Sequence, residues 1–239
     1  MEKENFRIIS FIGSLRDGET KRIVLNLEKE IKNTLNFSYE FINYQTNNIY
    51  FCTGCKQCFT NGKCTLSNDK ISEIKQSIQQ CDLFIFATPV YEKHISGLSK
   101  TFLDRIASWT HLMPLAGKMC ILVITTYNTG IDESTSYLYE IMNYLGFTVI
   151  GIIVKSARTS EQDLKNQVNL ALNHFLRVLN HGKCHSSIYL EECFSAYQML
   201  YNNLKKKNVM NHETIAWISQ EYDKFYSFKD IINSIYNNN

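Results

Sequence analysis

Apolar residues fall along this chain in two kinds of pattern. Arg7-Ile8-Ile9-Ser10-Phe11-Ile12, Leu83–Ala87, Lys118–Ile124 and Phe147–Val154 are short, nearly continuous apolar runs, as in strands buried on both faces. Phe37-Ser38-Tyr39-Glu40-Phe41-Ile42 partly alternates, which suits a strand near a sheet edge. Between these runs the apolar positions recur at helical spacing. The stripes are Ile23, Val24, Leu27 and Ile31; Ile71, Ile74 and Ile78; Leu98, Phe102, Ile106 and Trp109; Leu138, Ile141, Met142 and Leu145; and Leu164, Val168, Leu172, Phe175 and Leu179. Ser67-Asn68-Asp69 supplies N-cap candidates for the second helix, and Gly146 closes the fourth. Strand then helix, five times over, predicts a doubly wound α/β domain with a five-stranded parallel sheet. Right-handed crossovers and the edge-like second strand predict the order 2-1-3-4-5.

From about Ile188 the strands stop. Leu190, Phe194, Tyr197, Tyr201 and Leu204 form one helical stripe, ended by Lys205-Lys206-Lys207, which reads as a solvated helix end. Ile215, Ile218, Tyr222 and Phe225 form a second, and Phe228, Ile231, Ile232 and Ile235 a third. The expected organisation is therefore an α/β domain over 1–184 and a C-terminal helical extension over 185–239, whose aromatic stripes need the body or a second subunit to cover them.

With 239 residues, 44% hydrophobic and 20% charged, the chain suits one globular domain with an appendage. A formal net charge of +2 gives no reason to expect nucleic acid or an anionic membrane as partner. No apolar run approaches the ~20 residues of a membrane span, and the charged start Met1-Glu2-Lys3-Glu4 is unlike a signal peptide. The expected location is the cytoplasm. There, eight cysteines are conspicuous, because clustered thiols in a reducing compartment point to metal or redox chemistry. Cys81, Cys120, Cys184 and Cys193 are scattered and read as small buried hydrophobes. Cys52, Cys55, Cys58 and Cys64 are not scattered. Their spacing, Cys-x2-Cys-x2-Cys-x5-Cys in a loop with Gly54 and Gly62, suits a [4Fe–4S] centre or tetrahedral zinc, with metal-free thiols as the third reading.

The loops at the strands' carboxyl ends are where an open α/β sheet binds ligands. Gly13-Ser14-Leu15-Arg16-Asp17-Gly18-Glu19-Thr20 joins the first strand to the first helix. Free N–H groups, the helix dipole, hydroxyls and Arg16 together make an anion site, although a ligand-free turn has a similar pattern. It is neither a Walker A loop nor G-x-G-x-x-G. Thr88-Pro89 ends the third run, and Thr125–Gly130 follows the fourth.

These motifs, in this order, resemble the flavodoxin-like NAD(P)H-dependent FMN reductases over roughly Phe6 to Leu179. Gly13–Thr20 is similar to their phosphate loop, Thr88-Pro89-Val90-Tyr91 to their [ST]-P-x-Y element, and Gly97–Arg105 to the helix that follows it. The cysteine run resembles the compact motif of the iron–sulfur flavoproteins within that superfamily. The resemblance implies that Ser14, Arg16, Gly18 and Thr20 cradle an FMN phosphate and that Pro89, Val90 and Tyr91 line one side of the isoalloxazine ring. It places Thr126, Asn128 and Gly130 near the ring's other edge, and Cys52, Cys55, Cys58 and Cys64 as metal ligands. It also implies a homodimer or homotetramer. Glu92-Lys93-His94 departs from the family's usual aromatic or small pair, and the stretch around Thr126 carries less glycine than usual. Both departures bear on substrate identity. His94 reads as an exposed loop histidine, and Lys100, Asp104 and Arg105 as a helix-face ion-pair set. No residue is assigned a catalytic role.

The expected function is an FMN-dependent oxidoreductase that takes electrons from NAD(P)H or a reduced carrier and delivers them to a quinone, a nitro compound or a flavin. An FMN/[4Fe–4S] electron-transfer protein with a redox-protein partner is the second reading. A binding module that kept the fold and lost the flavin is the third.

Overall fold

Strand β3 (Leu83–Tyr91) is the centre of a parallel sheet in this computed structural model, which describes residues 6–44, 47–181 and 186–237. It pairs on one side with β1 (Phe6–Ile12) and on the other with β5 (Met119–Thr125), in the registers Ile8↔Leu83 and Leu83↔Met119. β2 (Phe37–Asn43) adds to β1, and β6 (Thr148–Lys155) to β5. The five long strands thus run in the predicted spatial order. The helices are α1 (Glu19–Lys32), α2 (Gln57–Asn61), α3 (Ile71–Gln80), α4 (Gly97–Arg105), α5 (Ile131–Tyr144) and α6 (Glu161–His181).

The apolar runs alternate between two cores. Leu83, Ile85 and Ala87 join Ile23, Val24 and Leu27 of α1 and Val168 and Phe175 of α6. Phe84 and Phe86 point the other way, to Ile74 and Ile78 of α3, Phe102 of α4 and Leu138 of α5. The period-2 geometry of the strand produces this even in an unbroken apolar run. Phe11 stacks on Phe86 and Phe102 with ring centroids 4.9 and 4.4 Å apart, which locks α4 over the sheet beside the site loops.

Three elements differ from expectation. A short antiparallel strand, β4 (His94–Ile95), folds back on Val90 and Tyr91, so Thr88–Tyr91 is strand and not loop. The stripe through Trp109 breaks at Arg105, and a 3-10 turn over Ala107–His111 carries its last turn. In the extension, α7 (Ile188–Lys206) and α9 (Phe228–Asn237) follow their stripes. The second stripe is not one helix. α8 (His212–Ser219) buries Thr214 and Trp217, leaves Ile215 exposed, and gives way to a 3-10 turn at Tyr222.

The extension lies on the α/β body. Phe194, Tyr201, Trp217 and Phe228 belong to the same apolar cluster as Ile8 and Leu83. Tyr201, Tyr222 and Tyr236 donate hydroxyl hydrogen bonds to the carbonyls of His111, Met113 and Gly117, at 3.1, 2.8 and 2.8 Å. These carbonyls lie on the connection into β5, so the extension satisfies polar backbone that a body alone would leave to solvent. Residues 1–5, Gln45, Cys184, the boundary expected between 184 and 185, and the end of the terminal asparagine run lie outside the described residues. No helix among the described residues is long and apolar enough to cross a membrane.

Candidate functional site

The loop between β1 and α1 is tied down from behind. The Ser96 hydroxyl donates to the Gly13 carbonyl at 2.7 Å, and the hydroxyls of Ser96, Ser99 and Thr88 follow one another at 3.0 and 2.8 Å, all buried. Gly13 is required here, since a Cβ would strike the Ser99 hydroxyl. This lattice fixes the first loop to the end of β3 and to the N-terminus of α4, where Ser96 caps the Ser99 N–H. The N-terminus of α1 has Gly18 at its cap position and no side-chain cap, which leaves first-turn N–H groups for an anion.

In front of the loop lies a cleft of about 440 Å³, lined by Ser14, Leu15, Arg16, Phe51, Tyr91, Ser96, Gly97 and Leu98. Hydroxyls and a guanidinium sit at one end, and two aromatic rings form the walls. That donor set fits a flat amphipathic ring carrying a phosphate. Of the residues expected to bind FMN, Ser14, Arg16 and Tyr91 line the cleft. The others play supporting parts. Thr20 is buried and its hydroxyl pairs with that of Thr125 at 2.6 Å, joining the first loop to the end of β5. Pro89 lies in β3 opposite Thr125. Thr126 donates to the Thr129 carbonyl at 2.7 Å, which rounds the loop before α5, and Asn128 on that loop is exposed. Gly130 has φ +79° and lies under the β3–β4 hairpin: a Cβ there would come within 2.5 Å of the Lys93 carbonyl and 2.6 Å of Val90. Leu15, Phe51, Ser96, Gly97 and Leu98 were not expected in the site. Ser96, Gly97 and Leu98 enter the cleft wall because the start of α4 is bonded to the Gly13 carbonyl, 83 residues away in sequence, a contact that no local spacing signals.

The hairpin turn itself, Glu92-Lys93, has φ +47° and +64° at its two residues, neither of them glycine. Two-residue hairpins take this backbone at a cost for side-chain-bearing residues. His94 packs edge-on to Tyr137, with centroids 4.8 Å apart.

Beyond Phe51 the chain enters a second cavity, about 310 Å³, whose lining includes Cys52, Cys55, Cys58 and Cys64 together with Asp104 and Arg105. The four thiols are free. Among the described residues no three His, Cys, Asp or Glu side chains converge on a single-ion site. The Cys55 thiol is held below its ordinary range, chiefly by its hydrogen bond with Thr65. By contrast, burial pushes the Cys81 and Cys193 thiols up, to about 12 and about 11, and Cys120 well up as well, as suits unreactive core residues.

Arg105 organises this loop, and it is not part of a surface ion-pair set. Lys100 and Asp104 do pair along α4, but Arg105 turns inward to Asp69, and both side chains are fully buried. Its guanidinium also donates to the carbonyls of Tyr50 at 2.9 Å and Leu66 at 3.2 Å, and to the Cys64 sulfur at 3.5 Å. Asp69 accepts the Tyr50 N–H at 2.9 Å. Burial alone would raise the Asp69 carboxyl, but the Arg105 hydrogen bond, the Tyr50 and Ile71 N–H groups and the Arg105 charge together hold it below the usual range. Both ends of the cysteine loop are thus pinned to one cation. Arg105 Nε is buried without a hydrogen-bond partner, and Lys75 lies near Cys58 and Cys64 with its ammonium 4.9 Å from the Trp109 ring centre. Four thiols beside two cations suit a thiolate-held, negatively charged group.

Comparison with known proteins bears on the family and the fold. The family model described as NADPH-dependent FMN reductase matches residues 6–161. An iron–sulfur flavoprotein of Archaeoglobus fulgidus is 26% identical over 170 residues, covering 69% of this chain and 76% of that protein. An iron–sulfur flavoprotein of Clostridioides difficile is 30% identical over 140 residues, covering 57% of this chain and 60% of that one. Among solved structures, an NADH:FMN oxidoreductase in its apo form superposes with a TM-score of 0.55 at 22% identity, covering 71% of this chain and 88% of that one. An FMN-dependent NADH-azoreductase from Bacillus anthracis in complex with FMN gives 0.55 at 16%, covering 74% of this chain and all of its own, 100%. At these identities the two structures speak for the fold.

Proposed function

The chain belongs to the NADPH-dependent FMN reductase family, and from that premise we propose that it is an FMN oxidoreductase whose cysteine loop carries a [4Fe–4S] centre. One observation carries the second half of this reading: the flavin cleft and the four-thiol cavity are neighbours along the chain. Phe51 lines the first and Cys52 the second. When bound, FMN accepts a hydride from a nicotinamide and releases electrons singly, and a thiolate-held cluster takes them singly.

The protein's part is to hold and orient. Ser14, Arg16 and the open N-terminus of α1 would take the phosphate, with Gly18 leaving room at the helix start. Tyr91 and Phe51 would flank the ring, and the Gly130 loop would support the hairpin that carries Tyr91. Cys52, Cys55, Cys58 and Cys64 would be the cluster's ligands, with Arg105 and Lys75 offsetting its charge. Small acceptors such as quinones, nitro compounds or flavins fit an open cleft with exposed Phe51 and Tyr91 at its rim. A second copy of the chain covering that rim, in a homodimer or homotetramer, is consistent with the same exposure. We place the enzyme among soluble cytoplasmic proteins.

The test is a visible spectrum of the protein purified without air, together with iron and acid-labile sulfide assays. Flavin bands with about four irons per chain are expected for a [4Fe–4S] centre held by four thiolates. Near-zero iron in a flavin-loaded sample would remove the cluster, and failure to bind added FMN would remove the whole reading. Steady-state NAD(P)H oxidation with a small acceptor separates this from an electron carrier that turns over only with a protein donor.

A further inference from the structure

The cysteine loop is gripped on its far side by the C-terminal extension. α2, which carries Cys58, is flanked by Lys56 with φ +60° and Gly62 with φ +77° at its two cap positions. The His212 ring, at the first residue of α8, lies directly over Gly62: a Cβ there would meet His212 Nε2 at 2.5 Å. One residue on, Glu213 bonds His111 Nδ1 at 2.8 Å. The other side of that imidazole faces Phe59 of α2, with ring centroids 5.2 Å apart. His111 is held in turn through its own carbonyl, which accepts from Tyr201 of α7. The extension therefore touches α2 at Gly62 directly and braces it at Phe59 through His111, bracketing the stretch between Cys58 and Cys64, while Arg105 and Asp69 hold the loop from the body.

We propose that α8 is a brace behind the α2 wall of the thiol cavity, with His212 and Glu213 as positioning residues that fix Cys58 and Cys64 against the body. This deepens the reading of that cavity as a metal site, and it assigns the extension a role at the site. The contact is one of shape: a flat ring seated on a glycine, and a carboxylate that sets the orientation of the ring beneath Phe59. Such a contact keeps a five-residue helix closed that is too short to be stable alone.

The test reads the thiols directly in metal-free protein, so it does not depend on the cluster. Alkylation by iodoacetamide is followed cysteine by cysteine by peptide mass spectrometry. In His212→Ala and Glu213→Ala the rate at Cys58 and Cys64 should rise on the order of tenfold, the change in open population expected when a locally held segment loses one packing or hydrogen-bonding contact. Cys52 and Cys55, already exposed, should be unchanged, and so should the core thiols Cys81 and Cys120. His212→Phe, which keeps a flat ring over Gly62, should restore the slow rate. Unchanged rates at Cys58 and Cys64, or a uniform rise that includes the core thiols, would overturn the brace. An iron assay on wild-type protein reports separately on the cluster: iron retention that falls in His212→Ala alone supports both readings, and absent iron in wild type removes the cluster while the alkylation result stands.

Discussion

Arg105 meets Asp69 where neither side chain touches solvent, so removing one partner leaves the other buried and unpaired. Breaking such a pair costs about 3–5 kcal/mol. Asp69→Asn keeps the side-chain shape but removes the charge, and should lower the melting temperature by roughly 6–12 °C in a chain of this size. A scanning calorimetry trace that moves by no more than the error would show the pair to be incidental. The pH dependence has a definite sign. Because the Asp69 carboxyl titrates below its unfolded value, its contribution is fully present above about pH 4 and is lost as the pH falls through the folded value. The stability gap between wild type and Asp69→Asn should therefore be constant near neutrality and narrow in acid. The sequence offered Asp69 as a helix-cap candidate and Arg105 as a surface charge. Nothing in local spacing could pair residues 36 positions apart, so the pin of the cysteine loop was not legible.

At the scale of elements, periodicity was a sound guide wherever an element buries one face for several turns or pleats. The runs through Ile8, Phe84, Ile121 and Ile150, and the stripes through Ile23, Ile74 and Leu138, all became the strands and helices expected. It failed for elements held by pairing alone. β4 has two residues, too few to carry a period, and its turn is Glu92-Lys93, which lacks the Asn or Gly that normally marks a hairpin. The nature of that turn makes a test. Glu92→Asn with Lys93→Gly supplies residues that accept positive φ readily, and should stabilise the protein by about 1 kcal/mol. The double variant should melt a few degrees higher with unchanged FMN affinity by fluorescence titration. If affinity falls while stability rises, the Glu92 and Lys93 side chains themselves touch the ligand, and the turn was kept for binding.

For the whole molecule, the question is whether the extension is a separable unit. The expected boundary near residue 184 divides an α/β domain from an extension whose stripes need the body or a second subunit to cover them, and it leaves open whether 1–184 folds alone. The buried faces argue against independence. Leu190, Phe194, Tyr201, Trp217, Phe228 and Ile232 are each almost fully excluded from solvent within the cluster that covers the α1 and α6 side of the sheet. At about 1.5–3 kcal/mol for each large apolar side chain, their loss is comparable to the roughly 5–15 kcal/mol that holds an ordinary domain folded. Truncation would also leave the carbonyls of His111, Met113 and Gly117 without their tyrosine donors. A chain ending after Ser186 should therefore lose its cooperative thermal transition by circular dichroism and bind FMN far more weakly than the full chain. A soluble truncated protein that unfolds cooperatively and binds FMN with full affinity would show that the α/β domain does not need the extension to fold. The extension would then be an attachment serving the cysteine loop alone, because among the described residues the flavin cleft draws no lining residue from it.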